Sequence, residues 1–180
     1  MFTRLKLVLA ALFALTLLAA SSPADAGQKR GVSAQLLVKA QPKVIYEAIR
    51  GLRAGDPQDV KELSRDDKQC VLEETFSDLP VIGQATCVYV ETYTPFQRID
   101  YRMVRSDKFK AFEGAWVITP QDEENVLVEL RSYVDTGLSI PFGRQITDMA
   151  TLKDVKKRLQ IVKKSAESSQ QRLQQVSAGR

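Results

Sequence analysis

The sequence predicts an α+β domain: a curved antiparallel sheet of about six strands wrapped around one long C-terminal helix, with two short helices after the first strand. Three observations predict it. From Gln69 to Asp135, apolar and polar residues alternate in segments joined by short polar turns, which is the period of half-buried strands. After Gly137 the period changes. Met149, Leu152, Val155, Leu159, Val162 and Ala166 recur at steps of three and four, one face of a helix, while Lys153, Lys156, Lys157, Lys163 and Lys164 occupy the other side. Consecutive short turns imply an antiparallel meander, and its apolar face has to be covered by a matching apolar stripe.

The first 26 residues are read as a segment outside the fold. Arg4 and Lys6 precede an apolar run from Leu7 to Ala20, and Ala24-Asp25-Ala26 supplies small residues before Gly27. That is the layout of a secretory signal peptide, and the run is shorter than the ~18 residues that read as a membrane span. The expected organisation is a signal peptide at 1–26, one folded domain at 27–167, and a polar tail or helix extension at 168–180. The expected location is the periplasm or the exterior.

Within the domain, Val32, Ala34, Leu36 and Val38 alternate as a first strand. Pro42 opens a helix at a position where its missing N–H costs nothing, and Val44, Ile45, Ala48, Ile49 and Leu52 form the apolar side. Asp56-Pro57 reads as a second helix start, with Val60 and Leu63 as its apolar residues. Strands follow at 70–76, 85–93, 98–106, 109–118 and 126–135, separated by turns containing Pro80 and Gly83, Pro95, Asp107 and Pro120. The loop Gly137-Leu138-Ser139-Ile140-Pro141-Phe142-Gly143 leads into the long helix.

Composition excludes several classes of function. The chain has no His, which removes the commonest general base, the usual nucleophilic triads and most zinc sites. No glycine-rich phosphate loop occurs. The net charge of +4 is mild, and basic residues do not interleave with aromatics as a nucleic-acid surface requires. No metal, cofactor or catalytic residue is assigned. Glu73, Glu74, Glu91, Glu113 and Glu129 could do acid/base work if buried, but alternation places most of them on an outer face. Cys70 and Cys87 are the two cysteines. They flank the turn symmetrically about Asp78 and Leu79, so a hairpin of simple register sets them opposite each other, and a structural disulfide is expected.

Three stretches carry a resemblance to a known superfamily. The first strand followed by Gln41-Pro42-Lys43-Val44-Ile45-Tyr46, the segment Phe112-Glu113-Gly114-Ala115-Trp116-Val117-Ile118-Thr119-Pro120, and Val128 to the long helix together resemble the START-like, or SRPBCC, helix-grip superfamily. That superfamily includes polyketide cyclases and coenzyme-Q-binding START proteins. The resemblance covers residues 32–166 as pattern more than as identity. It implies a cavity between sheet and long helix that holds a hydrophobic small molecule, such as a lipid or an isoprenoid quinone. The candidate lining residues are Tyr101 and Met103 on one strand, Phe112 and Trp116 on the next, and Leu138, Ile140, Phe142 and Met149 around the helix start. The alternatives are a cyclase- or isomerase-type enzyme using a buried Tyr or Glu in the same cavity, or a scaffold whose core is filled. The lysine-rich helix face allows transient contact with an anionic membrane surface.

Overall fold

The structure, a computed structural model, describes residues 31–52 and 59–178. The expected signal peptide and the Asp56-Pro57 helix start lie outside these residues. The elements are β1 (Val32–Val38), α1 (Pro42–Gly51), β2 (Val60–Arg65), β3 (Gln69–Leu79), β4 (Gly83–Thr94), β5 (Arg98–Ser106), β6 (Ala111–Pro120), β7 (Val126–Asp135) and α2 (Gly143–Ala178). The described strands form one antiparallel sheet in the order β1-β7-β6-β5-β4-β3-β2. All but the β1–β7 pairing are between sequence neighbours, as short turns dictate. The sheet curves, with the ladder interrupted within β2–β3, β3–β4 and β4–β5. In β5 the extra residue is Val104, and such bulges bend a strand and increase its twist.

The 36 residues of α2 span about 54 Å, longer than any strand they cross. Val155, Leu159, Val162 and Ala166 are buried beneath it, against a core that includes Val38, Ile45, Leu72, Ile99 and Val128. Burying the valine, leucine and isoleucine side chains among these contributes about 1.5–3 kcal/mol each. The helix runs on through Ala178, so the polar tail is helical up to that residue. At its other end the stripe departs from expectation. Met149 is 74% exposed. Two successive steps of three, from Met149 to Leu152 to Val155, rotate the stripe by about 120° away from the buried face.

The sheet has seven described strands where about six are expected. Two further expectations are corrected. The segment read as a second short helix contains β2, in which Val60 and Leu63 belong to an edge strand paired with β3. The hairpin register places Cys70 opposite Glu91 and Cys87 opposite Glu74, so the two cysteines sit four residues apart along the ladder, about 13 Å. Both are buried free thiols, and the expected disulfide is not formed. The cause is the turn. Pro80 cannot donate to the ladder, Asp78 and Val81 take positive φ, and the centre of the hairpin moves past Leu79.

Burial pushes the Cys87 thiol from its ordinary value near 9 up to about 12, helped by the Glu74 carboxylate. Its contribution to stability is therefore present below pH 9 and lost as the pH rises from 9 towards 12. Ellman's reagent is expected to find no reactive thiol in the native protein at neutral pH and two after unfolding in guanidinium. A thiol reacting rapidly in the native state would contradict this burial.

Candidate functional site

Strand alternation explains how polar groups come to face the helix. In β3, Cys70, Leu72 and Glu74 share the inward face; in β4, Cys87, Tyr89 and Glu91 do. Two carboxylates are thereby carried into the core, where Glu74 is 5% and Glu91 9% exposed. A buried carboxylate needs a partner. Arg158 of α2 supplies one. It sits at the edge of the buried stripe, and its Nη2 donates to Glu74 Oε1 at 2.6 Å. Its Nε donates to Asp154 Oδ2 at 2.7 Å, one helical turn back. The Tyr89 hydroxyl donates to the other Glu74 oxygen at 2.8 Å, and the Tyr93 hydroxyl donates to Glu91 at 3.2 Å. Burial works against the charge on Arg158, but the Glu74 and Asp154 carboxylates outweigh it and hold its pKa above the usual guanidinium value.

Of these groups Tyr89, Glu91, Asp154 and Arg158 border a cavity of about 40 Å³ between sheet and helix. Tyr89 and Glu91 line it from β4, Tyr101 from β5, Phe112 and Trp116 from β6, Leu130 and Ser132 from β7, and Asp154, Val155 and Arg158 from α2. One water needs about 10–15 Å³, so the cavity holds about three, well short of the ~300 Å³ of a drug-sized pocket. Most of the aromatic set packs against itself. The Phe112 ring meets Phe76, Tyr89, Tyr101 and Phe109 at centroid distances of 4.9–6.2 Å. The Tyr101 hydroxyl passes over Gly114 to donate to the Arg131 carbonyl at 3.1 Å, and burial pushes its pKa above the usual phenol value. Tyr101 is therefore a neutral hydrogen-bond donor throughout the physiological range.

The eight residues singled out in the sequence separate into two groups. Tyr101, Phe112 and Trp116 line the cavity, and Met103 is half-buried in the same core without lining it. Leu138, Ile140, Phe142 and Met149 lie elsewhere. Asp154 follows Phe142 by twelve residues, about 18 Å along α2. The loop folds over the helix start instead, with Gly143 N–H donating to the Ile140 carbonyl and packed beside Leu138. The polar half of the site, Glu74, Glu91, Tyr89 and Arg158, was not assigned. The signal was present: Glu74 shares parity with Cys70 and Leu72, so an inward carboxylate called for a cation on the facing helix.

No protein-family profile matches the chain, and no curated protein matches it in sequence. Solved structures do match in shape. The protein TTHA0849 from Thermus thermophilus is 18% identical with a TM-score of 0.67, over 77% of this chain and 97% of that one. A START superfamily protein from Mycobacterium smegmatis is 18% identical with a TM-score of 0.55, over 79% and 97%. The chain has a START-like helix-grip fold. A polyketide aromatase/cyclase, Zhui from Streptomyces sp. R1128, shares this START-like arrangement at 17% identity and a TM-score of 0.63, over 77% and 93% of the two chains. Identity this low carries the fold and not the chemistry. Among the described residues no group of His, Cys, Asp and Glu is placed to hold a metal, and no helix is long and apolar enough to cross a membrane.

Proposed function

We propose that this START-like chain is exported and binds a hydrophobic small molecule with a polar end, of the lipid or isoprenoid-quinone kind, between the sheet and α2. The observation that carries the reading is the Arg158–Glu74–Tyr89 cluster at the edge of an aromatic cavity. Apolar side chains of similar volume often replace a largely buried ion pair without loss of stability, so a role in recognition accounts for a pair kept at this position. The apolar body of the guest packs on Tyr101, Phe112 and Trp116, and its hydroxyl or carbonyl meets Arg158 or Tyr89. The cavity of about 40 Å³ is too small for such a guest, so this reading requires α2 to move away from the sheet on binding. Export rests on the composition of residues 1–26, and an amino terminus at Gly27 in protein recovered from the host would support it.

Trp116 is the only tryptophan in the sequence and lines the cavity, so its fluorescence reports occupancy. Titration with a short-chain quinone and with a fatty alcohol is expected to give a saturable change for at least one. No change with either would count against the reading. A second reading, a cyclase- or isomerase-type enzyme, draws on the same cluster. Arg158 could polarise a carbonyl while Tyr89 and Glu74 relay a proton, and an aromatase/cyclase is among the structural matches. Release of a bound guest with its mass or absorption spectrum altered would favour the enzyme over the carrier.

A further inference from the structure

We infer that the outward face of α2 docks the protein on an anionic lipid bilayer. At about 100° per residue, positions 142, 146, 149, 153, 156, 157, 160 and 164 fall on one side of the helix, away from buried Val155, Leu159 and Val162. This side has two parts. Its N-terminal end is apolar: Phe142 is 73% and Met149 74% exposed, with Ile146 between them and Ile140, 42% exposed, in the loop beside them. The rest is basic, with Lys153, Lys156, Lys157 and Lys164 exposed and outside every ion pair found among the described residues. The carboxylates of this stretch, Asp148 and Asp154, point to other sides and are engaged by Arg144 and Arg158. Residues 143–164, about 33 Å of helix, thus present an apolar head and a cationic run with no acidic residue on the same face, and Glu167, the next carboxylate on this side, is held by Lys163 and the Lys39 N–H.

The conformation of Phe142 supports the same conclusion. Its φ is +61°, a region that bulky side chains seldom occupy, and it is held there while its ring stands in solvent. The Gly143 N–H donates to Ile140 O and the Ile146 N–H to Phe142 O, both at 3.0 Å, which fixes the turn. Exposed aromatic and thioether groups beside unpaired lysines match a bilayer interface, where apolar side chains enter the acyl boundary and lysines meet anionic headgroups. A soluble polyanion would account for the lysines and leave Phe142 and Met149 without a role. The inference is independent of what the cavity holds.

The buried native cysteines make a site-specific test practicable. A Met149→Cys variant of the full chain, labelled with an environment-sensitive fluorophore, is mixed with vesicles of phosphatidylcholine containing about a third phosphatidylglycerol. The label is expected to shift to the blue and to be quenched by brominated lipid, while a label at Glu123→Cys in the β6–β7 turn does neither. Vesicles of phosphatidylcholine alone should bind at least about tenfold more weakly, and so should a variant with all four lysines changed to Glu. Phe142→Ser, with an unchanged melting curve, should also weaken the shift. No shift at Met149→Cys, an equal shift at both positions, or binding indifferent to the lysine reversal would overturn the proposal. A response to heparin with none to vesicles would do the same, assigning the face to a soluble polyanion.

Discussion

Arg158→Ala is expected to lower stability by about 2–3 kcal/mol, a fall in Tm of roughly 5–10 °C for a domain of this size. The substitution leaves Glu74, 5% exposed, with only the Tyr89 hydroxyl as a hydrogen-bond donor from the cluster. Breaking a fully buried pair costs about 3–5 kcal/mol, and the Arg158 side chain is 30% exposed, which reduces the loss. The double variant Glu74→Leu/Arg158→Leu should behave differently. Removing both charges also removes both desolvation costs, and its Tm is expected within a few degrees of the parent. Thermal unfolding of the three proteins distinguishes the cases. A double variant as unstable as Arg158→Ala would show that the pair is there for stability, which would weaken the case for recognition.

Gly114→Val should be still more damaging. A Cβ built at Gly114 would lie 2.2 Å from the Arg131 carbonyl oxygen and 2.3 Å from the Tyr101 hydroxyl. The first neighbour is backbone in the paired strand β7, so it cannot swing away, and Tyr101 would have to abandon its bond to that same carbonyl. Overpacking of this kind costs about 1–3 kcal/mol, and the buried hydrogen bond adds about 1 kcal/mol. A loss of about 3–4 kcal/mol and disturbed Trp116 fluorescence are expected, since Trp116 follows two residues later on the same face. A Tm within a degree or two of the parent would mean that β6 and β7 separate more easily than their ladder implies.

Much of this architecture was legible because burial wrote it into the sequence. β3 to β7 alternate since one face meets the core, and α2 repeats at threes and fours since Val155, Leu159, Val162 and Ala166 lie beneath it. β2 was not legible. Nearly all of it is exposed at the sheet edge, so its strand character comes from pairing with β3, which leaves no periodic mark, and Asp56-Pro57 before it carries a helix-start signal. The cysteine register failed for a related reason: symmetry about Asp78 and Leu79 ignores the residues that Pro80 and the positive-φ positions force into the turn. At the site, the aromatic residues suggest a cavity lining, although the Phe112 ring packs against four other rings. Arg158 was hidden among the lysines of its helix, and only the parity of Glu74 could have drawn attention to it.

The most direct test is native mass spectrometry of the protein purified from its own host, beside the Glu74→Leu/Arg158→Leu variant, with organic extraction of whatever co-purifies. A stoichiometric hydrophobic adduct on the parent that is absent from the equally stable double variant is the predicted result. A parent that remains empty when offered a lipid extract, or an adduct retained unchanged by the double variant, would contradict a guest held at Arg158 and Glu74.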